Sequence, residues 1–215
     1  MSVITFESVS TSYKGHTLYQ DVSFEIVEGS ATAFSGPNGS GKSVLFKMIC
    51  GFTQPDSGLI SVDPKFLSHR RNFPENFGII IDRPAYLAGQ SGLRNLSELA
   101  GIRKIIDESQ VRESMRLVGL NPDLKVPVRK YSLGMKQKLA LAQALMENPR
   151  VLVLDEPFNG LDADSAVSIR RILKDRIDDG VTVIFTSHNR GDIQELASQQ
   201  FEIQNGGVIE LPVKG

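Results

Sequence analysis

Gly36-Pro37-Asn38-Gly39-Ser40-Gly41-Lys42-Ser43 is the stretch whose reading decides the fold. The run before it, Ala31 to Ser35, reads as a strand. The run after it, Val44 to Ile49, reads as a helix. Gly-x-x-x-x-Gly-Lys-Ser between strand and helix is the pattern of a phosphate-binding P-loop. Glycines at 36, 39 and 41 let the backbone take conformations that a side chain forbids and let it approach an anion closely. The loop's N–H groups then converge on phosphate oxygens, and the first turn of the helix adds its positive end. In such a loop, Lys42 reaches the β- and γ-phosphates and the Ser43 hydroxyl holds Mg²⁺.

Working outward toward the N-terminus, Val3 to Val9 and Asp21 to Val27 alternate apolar and polar residues, as half-buried strands do. Ser10 to Thr17, which contains Gly15, reads as a turn between them. An antiparallel N-terminal patch is therefore expected to feed the P-loop strand. Tyr13 falls in that turn, where an aromatic ring either packs on the sheet or stacks on a base.

Toward the C-terminus, Leu59 to Val62 reads as a short strand, and Ser68 to Asn76 as a surface loop in which Arg70 and Arg71 are solvated. Phe77 to Ile81 reads as a buried strand ending in Asp82-Arg83-Pro84. Open α/β sheets place their ligand groups at such strand ends. From Ser91 to about Met146 the apolar spacing turns helical: Leu93, Leu96 and Leu99, then Val111, Met115 and Val118, then Leu139, Ala142 and Met146. A helical block between strands suggests an inserted helical subdomain.

Strand–helix alternation then resumes. Val151 to Leu154 is uniformly apolar, as a strand buried on both faces should be. It ends in Asp155-Glu156, the Walker B pattern: the aspartate holds Mg²⁺, and Glu156 is placed to polarise an attacking water. Ala163 to Ile177 reads as a helix with Asp162 as its N-cap. Val181 to Phe185 reads as another buried strand, ending in Thr186-Ser187-His188. A lone histidine is usually structural, but this one shares the strand-end position of Asp82 and Asp155, which suits a γ-phosphate contact. Asn205-Gly206-Gly207 between two short apolar runs signals a hairpin.

Composition sets the outer limits. The chain has 215 residues, enough for one domain with an insertion, and 40% are apolar. A net charge of −1 supplies no global field toward nucleic acid, so no nucleic-acid partner is expected. The single cysteine, Cys50, excludes an intramolecular disulfide framework and is expected to be a buried structural thiol. No run approaches the roughly 18 apolar residues of a membrane span, and no basic-then-apolar leader opens the chain. A cytoplasmic protein is expected.

Taken together and in order, these motifs resemble the ATP-binding subunit of an ABC transporter, and the likeness runs across nearly the whole chain. Tyr131-Ser132-Leu133-Gly134-Met135-Lys136-Gln137 is similar to the family's signature motif, Asn159-Gly160-Leu161-Asp162 to its D-loop, and His188 to its switch histidine. Two departures stand out. Leu133 replaces the first glycine of the common Leu-Ser-Gly-Gly-Gln, and Asp82 occupies the Q-loop glutamine position. The second departure, with Tyr-Ser-Leu-Gly-Met-Lys-Gln, resembles the bacitracin and lantibiotic resistance and immunity branch.

The resemblance implies an α/β P-loop NTPase fold: a mixed-sheet core, an N-terminal antiparallel β subdomain and an inserted helical subdomain. It implies a single ABC ATPase domain over 1–215, with a RecA-like core at about 1–84 and 149–215 and a helical subdomain at about 85–148. It assigns adenine stacking to Tyr13. Glu156 and His188 become the catalytic residues. Ser132, Gly134 and Asp162 are expected to meet ATP across a head-to-tail dimer, whether a homodimer or a pair with a related ATPase subunit. Ser43, Asp155 and Asp82 form the Mg²⁺ set. The remaining implied partner is a transmembrane permease, which places the chain on the inner face of the cell membrane. The implied activity is ATP hydrolysis driving export of a peptide antibiotic or drug. The chain ends soon after its last hairpin, so no regulatory domain is expected. The alternatives are a soluble ABC ATPase acting on nucleic acid or ribosomes, an ATPase of iron–sulfur assembly, and a non-catalytic nucleotide-binding module.

Overall fold

The computed structural model describes residues 1–13, 15–67, 74–82 and 85–213. Arg70, Arg71 and most of the loop expected around them lie outside the described residues, as do Arg83 and Pro84. Among the described residues the chain forms two sheets. The first is antiparallel. β1 (Ser2–Tyr13) lies between β2 (His16–Val27) and β4 (Ser57–Val62). The register pairs Ile4 with Ile26, Phe6 with Phe24 and Val9 with Val22, so the apolar half of each alternation shares one face. Phe6 and Phe24 stack with ring centroids 4.4 Å apart.

The second sheet has the order β5-β6-β7-β3-β8-β9. Its strands are β3 (Ala31–Ser35), β5 (Phe77–Ile80), β6 (Val151–Leu154), β7 (Thr182–Thr186), β8 (Gln199–Gln204) and β9 (Gly207–Leu211). All run parallel except β9, which closes an antiparallel hairpin on β8 at Asn205-Gly206. Every residue of β6 and β7 is buried, which accounts for the apolar runs Val151 to Leu154 and Val183 to Phe185. The antiparallel sheet packs on one face through Phe24, Phe34, Phe46 and Phe201.

Between β5 and β6 the chain forms α2 (Gly92–Arg103), α3 (Glu108–Leu117) and α4 (Leu133–Leu145). Each begins on a side-chain cap: Ser91, Asp107 in a capping box with Gln110, and Ser132. Leu96, Met115 and Leu139 are fully buried where the three meet. Gly78 of β5 lets this block approach the sheet closely: a Cβ there would lie 2.1 Å from the Ala144 carbonyl. Among the described residues the other α-helices are α1 (Lys42–Ile49), α5 (Ala163–Asp178) and α6 (Arg190–Leu196).

Two local readings change. The expected turn at Ser10 to Thr17 is shorter, because β1 and β2 continue until Tyr13 pairs with His16. Tyr13 is therefore a strand-end residue. The segment after His188, not read as helical from sequence, forms α6. Seven residues that include a glycine carry too little period to register. Cys50 is fully buried as expected, and burial pushes its thiol up to about 12.

Candidate functional site

The parallel register sets Phe34 beside Thr186 and Leu154 beside Phe185. The C-terminal ends of β3, β7 and β6 therefore stand side by side, and the loops leaving them share one rim. β3 hands over to Gly36-Pro37-Asn38-Gly39-Ser40-Gly41, and α1 starts at Lys42. Two glycines are sterically required. Gly36 has φ 149°, and a Cβ would lie 2.6 Å from the Ile203 carbonyl. Gly41 has φ 101° and rests on the ring of buried Tyr19, whose hydroxyl would be 3.0 Å from a Cβ. Lys42 is largely buried, and its Nζ donates to the carbonyls of Gly36 at 2.8 Å and Pro37 at 3.1 Å. Ser40 Oγ is buried without a hydrogen-bond partner among the described residues. An orphaned hydroxyl inside a loop of this shape fits an oxyanion ligand.

Asp155 is the hub of the rim. Its Oδ2 accepts from Ser43 Oγ at 2.6 Å, and its Oδ1 from Thr186 Oγ1 at 2.8 Å. Thr186 Oγ1 also accepts the Glu156 backbone N–H at 2.7 Å. Glu156 sits at φ 50°, an unusual backbone conformation for a residue with a side chain. Its Oε1 lies 3.2 Å from His188 Nε2, off the line of a hydrogen bond. Burial raises the Glu156 carboxyl above its ordinary value. The charge of Asp155 adds to the rise, while His188 and Lys42 oppose it. Tyr13, Asn38, Gly39, Lys42, Ser43 and His188 line a cavity of about 360 Å³ together with the two carboxylates. That size lies within the range of small-molecule sites, roughly 300–1,000 Å³.

Four other candidates lie away from that cavity. Ser132 caps α4 by accepting the Met135 N–H at 3.2 Å. Gly134 faces Gly160, whose carbonyl would be 2.8 Å from a Cβ, so the two motifs touch within one chain. Asp162 caps α5, accepting from Ser165 N at 2.8 Å and Ser165 Oγ at 3.0 Å, and these bonds hold its carboxyl below the usual range. Asp82 pairs with Lys47 Nζ at 2.6 Å. It borders a second cavity of about 630 Å³, between the helices and the rim, whose lining also includes Asp155 and Glu156.

Thr186, Gln137 and Lys47 also join the site, beyond the residues expected from sequence. Thr186 stands at a strand end beside Asp155, which was its available signal. Gln137 Nε2 donates to the carbonyls of Glu156 at 3.3 Å and Pro157 at 2.9 Å, tying α4 to the rim. Neither that bond nor the Lys47–Asp82 pair has a sequence signal, because each joins residues distant in the chain.

A strand-to-helix glycine loop, a lysine folded over it, and a helix serine bonded to the aspartate that ends β6, one strand beyond β7, define a P-loop nucleotide-binding protein. The family model described as ABC transporter matches residues 19–159. The chain is 34% identical over 199 residues to an uncharacterized ABC transporter ATP-binding protein of Bacillus subtilis, YybJ, covering 93% of this chain and 91% of that one. It is 32% identical to the lantibiotic transport ATP-binding protein SrtF of Streptococcus pyogenes, covering 96% and 89%. It is 30% identical to the bacitracin transport ATP-binding protein BcrA of Bacillus licheniformis, covering 97% and 69%. Among solved structures, the dimeric ATP-binding cassette MJ0796 in a post-hydrolysis state with ADP and Pi superposes with a TM-score of 0.84 at 22% identity, covering 99% of each chain. The chain belongs to the ABC transporter family. It is an ATP-binding, ATP-hydrolysing subunit of that family.

Proposed function

We propose that this chain drives an exporter of a peptide antibiotic or similar drug from the inner face of the cell membrane, docked on a transmembrane permease. Among the described residues no helix is long and apolar enough to cross a membrane, so the proposed path for the substrate lies in the partner. Relatives named for lantibiotic and bacitracin transport support the substrate class. In this reading residues 1–84 and 149–215 form the nucleotide lobe and 85–148 the helical lobe. Tyr13 stacks on adenine, and Gly36 to Ser43 wrap the phosphates. Ser132, Gly134 and Asp162 serve the ATP held by a second ATPase subunit, in keeping with their distance from the cavity of their own chain.

The observation that carries the mechanism is the continuous chain from Ser43 through Asp155 and Thr186 to Glu156 and His188. Phosphoryl transfer needs positioning and charge neutralisation more than covalent chemistry. Lys42 exchanges its two carbonyl partners for phosphate oxygens. Glu156, its proton affinity raised by burial, takes the proton of the attacking water. His188 holds the γ-phosphate. The paired oxygens of Ser43 and Asp155 are a hard donor set that suits Mg²⁺. When bound with ATP, that cation supplies neutralisation of the phosphate charge. Asp82 is a third oxygen donor on the rim, available once it leaves Lys47.

The test is an affinity pull-down from detergent-solubilised native membranes with the bound proteins identified. Stoichiometric recovery of a polytopic membrane protein is the expected result. Recovery of soluble partners alone, with ATPase activity intact, would overturn the transport reading.

A further inference from the structure

α6 carries a carboxylate that neither packing nor the proposed chemistry calls for. Asp192 is only 2% exposed. A charge so buried persists only when it is paired, and apolar residues would hold so short a helix at lower cost. Ile193 and Leu196 already anchor α6 to the core. Both carboxylate oxygens of Asp192 are directed to partners. Oδ1 lies 2.6 Å from Arg170 Nη1 of α5, and Oδ2 accepts from Ser187 Oγ at 2.8 Å. Ser187 Oγ in turn accepts the Asn189 N–H at 3.0 Å, which closes the turn around His188. On its other side Arg170 faces Glu195 in an ion pair, with Nε 2.8 Å from Oε2. Asp162 caps the same helix eight residues before Arg170, about 12 Å along its axis.

We propose that Asp192, held by Arg170, is a positioning residue for hydrolysis: it fixes the Ser187–Asn189 turn and so aims His188 at the γ-phosphate, referencing that histidine to the position of α5. This rests on the reading of His188 as the γ-phosphate contact. A rigid α5 then transmits any displacement of its Asp162 end to the histidine, through one guanidinium and one carboxylate.

The experiment is steady-state ATP hydrolysis by the purified full chain, with melting temperature recorded in parallel. Asp192→Asn removes the charge opposite Arg170, and Ser187→Ala removes only the hydroxyl link. Each is expected to lower kcat about tenfold or more, the scale of a misplaced catalytic group. KM for ATP should stay within about twofold, because binding the ground state does not need the histidine aimed. Arg170→Lys, which keeps a cation beside Asp192, should retain most of the turnover that Arg170→Gln loses. In a His188→Ala background, Asp192→Asn and Ser187→Ala should cost nothing more. An equal fold-loss with and without His188 would assign Asp192 to structure alone and overturn the proposal. If Asp192→Asn does not fold, Ser187→Ala decides the same comparison. Wild-type turnover by His188→Ala itself would remove the γ-phosphate reading and the proposal with it, a result distinct from the additive one.

Discussion

Thr186→Val exchanges a hydroxyl for a methyl of nearly equal size at a site with no solvent exposure. Packing is preserved, and two hydrogen bonds are lost. One is the donation to Asp155 Oδ1 at 2.8 Å, a bond to a charged acceptor worth about 1.5–3 kcal/mol. The other leaves the Glu156 N–H without its 2.7 Å partner, a loss of about 1–3 kcal/mol. The partners Asp155 and Glu156 are only half-buried, so the lower ends apply, and the sum is about 2.5 kcal/mol. For a chain of this length that lowers the melting temperature by about 5–10 °C. Thr186→Ser keeps the oxygen and loses one buried methyl, about 1 kcal/mol. The assay is thermal melting of both variants beside ATP turnover. Valine should be the less stable of the two and should lose turnover by at least about tenfold, since Asp155 and Glu156 lose their common tether. A valine variant that melts with the wild type and hydrolyses ATP normally would refute the claim that this hydroxyl organises the site.

Lys42→Ala removes the cation that folds over the P-loop, and nucleotide titration should detect no ATP binding; unchanged affinity would remove Lys42 from the site. Glu156→Gln should keep ATP binding and lower turnover by about a hundredfold, the scale of losing a general base, read as single-turnover hydrolysis. The same variant tests the raised carboxyl. The folded protein holds that proton more tightly than the unfolded chain, so the group's stabilisation is complete below the ordinary glutamate value and is lost as pH rises through the folded value. Near neutral pH the ionised side chain therefore costs stability, and Glu156→Gln should melt higher than the wild type there, with the difference shrinking in acid. Gly78→Ala drives a Cβ to within 2.1 Å of the Ala144 carbonyl; the strand or α4 must move, and a melting temperature equal to the wild type would refute that contact.

The sequence by itself determined the P-loop, the two buried strands β6 and β7, and the three helices between β5 and β6. It did so because each is a local signal: glycine and lysine at fixed spacing, unbroken apolar runs, and helical periodicity beside serine and aspartate caps. Asp155, Glu156 and His188 were legible for a related reason, since a polar residue that closes an apolar strand must stand at the sheet's rim. The tertiary structure alone decided how these residues are joined. Strand order brought β6, β7 and β3 together, and only that adjacency lets Thr186 reach both Asp155 and Glu156. The bond from Gln137 to the rim, the Lys47–Asp82 pair and the Arg170–Asp192–Ser187 network each link segments that sequence spacing leaves unrelated. Short-range chemistry is written along a chain, whereas hydrogen bonds between distant segments exist only once packing has fixed the distances between them.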